Sequence, residues 1–196
     1  MSIARVRLSH LGLSVFDLDK MVDFYTRVMG MIVSDTDVLP GGTHRIAFVT
    51  SNPEDHHQLA LVEGRTPEPI PTDPPLGGSM GSQLFQLSFK LPDLPTLKMM
   101  KRRIADEGIT TFVPINHGNA WALYVRDPEG NALELYVDTP WYIAQPCGFR
   151  LDLDASDEEI YAKTEAHCRK QPEFKLRTDW LAEQTAKIAA AQAALA

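Results

Sequence analysis

The sequence predicts an α+β protein: two tandem βαβββ modules that pair into a cup-like open barrel, followed by C-terminal helices. Three observations lead there. First, a strand-then-helix pattern occurs twice: Leu8 to Leu18 aligns with Leu84 to Leu94 at an offset of 76 residues, with Leu8/Leu84, Leu11/Leu87, Asp17/Asp93 and Leu18/Leu94 coinciding. Second, a Pro- and Gly-rich stretch separates the two copies. Third, the same offset lays His10 on Gln86 and Gln58 on Glu134, so matching strands carry a polar residue on an otherwise small or polar face. An internal repeat whose greasy faces need helices and whose polar faces match implies two curled half-sheets around a polar cavity.

Taken in order, the first strand runs from Val6 to Val15, with Leu8, His10, Gly12 and Ser14 on one face. A helix follows from Asp17, a side chain suited to N-capping, to Met29, and Gly30 stops it. Its stripe of Leu18, Met21, Val22, Tyr25, Val28 and Met29 has helical spacing and belongs to the core. Strands are expected over Met31–Asp37, His44–Thr50 and His57–Val62, with Pro40-Gly41-Gly42 as a turn. The first module thus occupies residues 1–63, and residues 64–82 form a linker that includes Gly77-Gly78. The second module, 83–138, repeats the order: a strand over Leu84–Leu91, a helix from Asp93 to Glu107 before Gly108, then strands over Ile109–Ile115, Trp121–Arg126 and Asn131–Val137. Residues 139–196 form a helical extension. Ser156 opens one helix with a capping-box pattern, and an Ala-rich helix runs from Thr178 to about Ala194.

Composition narrows the function classes. The chain has 196 residues and a formal net charge of -7, which argues against a nucleic-acid surface. No apolar run reaches membrane-spanning length and the N-terminus enters a strand pattern directly, so a cytoplasmic protein is expected. Cys147 and Cys168 are too few for a disulfide framework and read as reduced thiols; no second pair at ligand spacing turns His167 and Cys168 into a zinc site.

The chemistry concentrates in one hairpin. Trp121–Arg126 and Asn131–Val137 flank the turn Asp127-Pro128-Glu129-Gly130. Alternation sets Ala122, Tyr124 and Arg126 on one face, and Ala132, Glu134 and Tyr136 on one face of the returning strand. A carboxylate in an apolar strand needs a partner, and a metal ion is a good one. His117 and Tyr124 are brought near it by the same hairpin, which suits a metal and a phenolic substrate. The bland reading is a solvent-facing Glu134. The repeat nominates His10, Gln86 and Glu134 as metal ligands; imidazole plus carboxylate with open positions is how non-haem Fe(II) sites leave room for substrate and O₂.

The paired pattern over residues 5–138 resembles the vicinal oxygen chelate superfamily, and the hairpin resembles the signature of one-domain extradiol ring-cleavage dioxygenases. His117, Leu123-Tyr124, Asp127-Pro128, Gly130 and Glu134 carry that second resemblance. His57-Gln58-Leu59-Ala60-Leu61 resembles the strand that bears the family's catalytic His. The resemblance implies His10 and Glu134 as metal ligands, His57 as acid and base, and His117 and Tyr124 as groups that steady substrate or oxygen intermediates. It further implies Fe(II), with Mn(II) or another divalent metal as alternatives, a small aromatic diol and O₂ as substrates, and a homo-oligomer. The sequence departs from the extradiol pattern at Gln86, where those enzymes place a second His; glyoxalases use a Gln there. Strict alternation from Gln58 points His57 away from the cavity, unless a bulge or its place at the strand's start delivers it, and His56 is the fallback. The rival readings are a glyoxalase-like isomerase or thiol transferase, and a non-catalytic protein that sequesters an aromatic ligand.

Overall fold

The computed structural model describes residues 6–76 and 84–194 of the chain. The Gly77-Gly78 end of the expected linker lies outside the described residues. The first module contains β1 (Leu11–Val15), α1 (Leu18–Asp23), β2 (Ile32–Val38), β3 (Arg45–Thr50) and β4 (Leu59–Glu63), with sheet order β1-β4-β3-β2. The second contains β5 (Leu87–Lys90), α2 (Leu94–Asp106), β6 (Val113–Asn116), β7 (Ala120–Arg126) and β8 (Ala132–Asp138). In each module the first and last strands pair in parallel, β1 with β4 and β5 with β8. This is the twice-repeated βαβββ architecture, built as two sheets that form no closed barrel among the described residues.

The helices begin where side chains can satisfy free backbone N–H groups. Asp17 accepts from Lys20 N at 3.0 Å, Asp93 from Thr96 N at 2.9 Å, and Ser156 from Glu159 N at 3.1 Å. Past Asp23, α1 widens into a π-helical turn, Phe24–Val28, which ends at Gly30 in the left-handed region (φ 79°). The stripe of Met21, Phe24, Tyr25 and Val28 is buried against the first sheet.

Strand starts differ from expectation. β1 begins at Leu11 instead of Val6, because its parallel ladder starts at Leu11 opposite Leu59 and residues 6–10 have no partner strand among the described residues. His10 therefore stands just ahead of β1, exposed. β6 covers only Val113–Asn116, the residues that pair with β7 between Trp121 and Tyr124. The register also corrects the repeat at its fourth strand. Gly12 lies opposite Ala60, whereas its repeat mate Ser88 lies opposite Glu134, so Ala60, not Gln58, is the register equivalent of Glu134. Gln58 instead accepts from the backbone and hydroxyl of Ser51.

The two modules meet on their helix side. Glu129, in the β7–β8 turn and 1% exposed, accepts from Phe16 N at 3.0 Å and Asp17 N at 2.8 Å. Tyr25 donates to Asp127 at 3.1 Å, and Arg27 pairs with Glu107 at 2.5 Å. β1 and β5 both remain sheet edges.

The extension is woven into the second module. β10 (Phe149–Arg150) adds to the edge of its sheet beside β6, and β9 (Trp141–Tyr142) pairs with β11 (Lys175–Leu176). α3 (Asp157–Cys168) covers Trp121, whose indole N–H donates to Thr164 at 2.9 Å. α4 (Arg177–Ala193) buries none of its residues. Among the described residues no helix is long and apolar enough to cross a membrane.

Candidate metal and substrate site

Glu134 sits in β8 between two neighbours that the ladders fix. Across one side lies Tyr124 of β7; across the other lies Ser88 of β5. Opposed residues on one face of a sheet approach closely, so all three polar groups converge. Tyr124 donates to Glu134 Oε1 at 2.9 Å, while Ser88 and Gln86 donate to Oε2 at 2.6 and 2.8 Å. The carboxylate is thus held by three neutral donors, and among the described residues no cationic side chain pairs with it. Gln86 spends its amide N–H on Glu134 and on Ser88, which leaves its carbonyl oxygen available as a ligand.

His117 stands at the turn into β7, made by Gly118 in the left-handed region (φ 76°), where a side chain would also collide with Ile143. Its Nδ1 lies 2.5 Å from the Cys147 carbonyl oxygen, an acceptor only, so Nδ1 must donate. That tautomer presents Nε2 to the Tyr124 hydroxyl at 3.1 Å. The single hydroxyl hydrogen of Tyr124 therefore has two acceptors, His117 and Glu134. Burial, then the bond to Glu134 and its charge, push the Tyr124 phenol well above its ordinary range, so it stays protonated at neutral pH. His117, Tyr124, Glu134, Tyr136 and Gln145 line a pocket of about 280 Å³, to which the first module contributes no residue among those described.

The remaining nominated residues form a second group on the first module. The rings of His10 and His57 lie 4.2 Å apart, and Phe48 flanks His57 at 4.7 Å. His57 precedes β4 by two residues, so strand alternation does not govern it and it shares a face with His10. His56 bonds His57 at 2.9 Å through Nδ1 and meets Asp35 at 2.8 Å through Nε2. Burial, and then the nearby His10 and His56, lower the His57 pKa. Among the described residues, neither His10 nor His57 touches Gln86 or Glu134 by a hydrogen bond or ring contact; the His10 ring bonds its neighbour Ser9, at 2.8 Å. The nominated side chains therefore fall into two groups in one chain: imidazoles on one module, carboxylate, amide and phenol on the other.

The donor types suit a divalent metal: a carboxylate and an amide oxygen on the second module, an imidazole on the first. No group of three His, Cys, Asp or Glu among the described residues is assembled to hold one within the chain. Replacing Gln86 by His supplies a stronger nitrogen donor beside Glu134, so Gln86→His is expected to tighten Fe(II) binding. Titration with ferrous iron under argon measures it, and weaker binding in a folded variant would remove Gln86 from the ligand sphere.

Sequence reasoning missed four contributors. Ser88 was readable, since it shares the period-two face of Gln86. Asp35, behind His56, and Cys147 with Gln145, which fix His117, come from distant stretches and left no local signal.

The sequence profile of the Glyoxalase/Bleomycin resistance protein/Dioxygenase superfamily matches residues 7–135. A biphenyl-2,3-diol 1,2-dioxygenase of Rhodococcus globerulus is 32% identical over 136 residues, which is 67% of this chain and 63% of that protein. The chain thus spans under two thirds of that relative's length. A probable lactoylglutathione lyase of Vibrio parahaemolyticus is 30% identical over 66% of this chain and 88% of its own length. In fold, the chain is similar to a glyoxylase/bleomycin resistance protein/dioxygenase domain from Frankia sp. EAN1pec, with a TM-score of 0.54 and 24% identity over 69% of this chain and 94% of that one.

Proposed function

Because the chain belongs to the Glyoxalase/Bleomycin resistance protein/Dioxygenase superfamily, we propose that it is a metal-dependent extradiol-type dioxygenase that opens the ring of a catechol-like diol. The observation that carries this reading is the convergence of His117, Tyr124 and Glu134 on one pocket, the residues by which the hairpin resembles such enzymes. Bound Fe(II), or Mn(II) in its place, supplies Lewis-acid and oxygen-activating chemistry. Glu134, His10 and Gln86 would hold it. His57, whose pKa burial and then the neighbouring imidazoles lower, is a neutral base at pH 7 and takes a proton from the diol and returns it later. His117 steadies the substrate through Tyr124: its Nε2 faces the phenol, and the protonated Tyr124 turns its hydroxyl hydrogen toward charge that develops on the substrate oxygens.

A homo-oligomer belongs to the same proposal. Among the described residues the Glu134 pocket takes its walls from the second module and, at Gln145, the extension, with none from the first module, and both β1 and β5 are sheet edges. A second copy that lays its β1 beside β5 would bring an imidazole half-site to the carboxylate half-site. A cytoplasmic setting fits the two free thiols, Cys147 and Cys168.

The test is oxygen uptake by anaerobically iron-loaded protein with a panel of catechols, watched for yellow ring-opened product. No uptake with any aromatic diol would hand the site to the second reading, a glyoxalase-like isomerase or thiol transferase. Gln86 in place of the extradiol His, and the lyase relative, favour that reading. Within the dioxygenase reading, Tyr124→Phe keeps the ring and loses the hydroxyl. Turnover is expected to fall on the order of 100-fold with metal content unchanged. Unaltered turnover at matched iron loading would make Tyr124 a wall residue.

A further inference from the structure

We propose that the cleft between β10 and α3 is a second binding site, one that takes an organic anion with an apolar body. The cleft encloses about 530 Å³, within the range of small-molecule sites. Its location sets it apart from the metal-facing pocket: apart from Asn116 at its floor, its residues belong to the extension, beyond the segment the superfamily profile matches.

The helical repeat builds one wall. Ile160, Lys163, His167 and Lys170 recur at intervals of three to four residues and so share one face of α3 and its C-terminal end. The facing wall is β10, where the Phe149 ring stacks on His167 at 4.0 Å and 26°. The surface between is apolar, with Ile160 buried at its base. The rim is cationic. Arg150, Lys163 and Lys170 stand around it, and among the described residues neither Arg150 nor Lys170 has a carboxylate partner. The opposing charge is a single carboxylate, Asp152, already accepting from Asp154 N at 3.1 Å.

That combination selects a ligand class. A small inorganic anion would meet the cations and leave the aromatic wall wet. A neutral hydrocarbon would fill the wall and leave the cations without a partner. A carboxylate or sulfonate on an aryl or alkyl body satisfies both. The site does not depend on the dioxygenase reading.

The experiment uses the full chain and calorimetry with phenylbutyrate, with neutral phenylbutanol and with acetate as partial probes. Phenylbutyrate is expected to bind at one site per chain, more tightly than either partial probe. The double variant Arg150→Glu, Lys170→Glu changes two exposed side chains, so its melting temperature should hold. Its affinity should drop on the order of 10-fold or more. Glu134→Ala and chelation should leave binding unchanged. Three results would overturn the proposal: no binding at millimolar phenylbutyrate, equal binding by the charge-reversed chain, or loss of binding in Glu134→Ala, which would move the ligand to the concave pocket.

Discussion

Mixing chains that carry His10→Ala with chains that carry Glu134→Ala is expected to restore metal binding and turnover that neither variant has alone. Each variant lacks one donor, and a first-row divalent ion held by so few protein ligands does not tolerate the loss of an imidazole or a carboxylate. Both side chains lie outside the apolar core, so each variant should fold. Recovery follows from where the half-sites stand. His10 contacts Ser9 and His57, and among the described residues the pocket around Glu134 receives nothing from the first module. If a second copy supplies the imidazole, a mixed dimer has one site with both native donors and one with neither. Random reassortment into two-fold dimers then returns roughly a quarter of wild-type activity. The measurement is iron content and oxygen uptake after unfolding and refolding the two chains together. No recovery from a folded mixture would place both donors of a working site in one chain.

Glu129→Ala is expected to lower stability by roughly 2–4 kcal/mol, a fall in Tm of about 5–15 °C for a chain of this size. The side chain is 1% exposed and belongs to the turn between β7 and β8, yet it accepts from the backbone of Phe16 and Asp17 at the start of α1. It does from one module what a capping side chain does within a helix, for a helix of the other. Removing it strands those N–H groups at the junction and leaves a void where two modules meet. Glu129→Gln keeps an acceptor oxygen and should cost less. Thermal unfolding of both variants tests the ranking, and an unchanged Tm in Glu129→Ala would make the junction contact dispensable.

The two-module architecture was legible because a repeat declares itself at every level: matched leucines, matched caps at Asp17 and Asp93, and a Pro-rich break between copies. The Tyr124–Glu134 encounter was legible for a simpler reason. A tight turn fixes the register of a hairpin, and register fixes which side chains face each other. What escaped was non-local. The parallel ladder of β1 with β4 begins one residue after His10, and nothing local marks that start or the slip that seats Ala60 opposite Gly12. His57 looked misdirected because alternation was extended back past the start of β4 into the preceding loop. The separation of the half-sites follows from the helix-side junction of Glu129, Asp127 and Arg27, residues whose partners lie about a hundred positions away along the chain in two cases.

The seam between α3 and the hairpin has a bearing on protein engineering. Trp121 is wholly buried, with its indole N–H on Thr164 and its ring against Tyr161 at 4.7 Å. Asn116 donates to the same Thr164 hydroxyl and accepts from Gly118 N, so the residues on either side of His117 are moored to the extension. A chain cut after Asp138 would keep every nominated ligand and every strand of the repeat. It would also lay a tryptophan bare and unfasten the turn that aims His117. The repeated core is therefore not a portable cassette: a graft or a minimal version must carry α3 with it, and circular permutants should open the chain elsewhere.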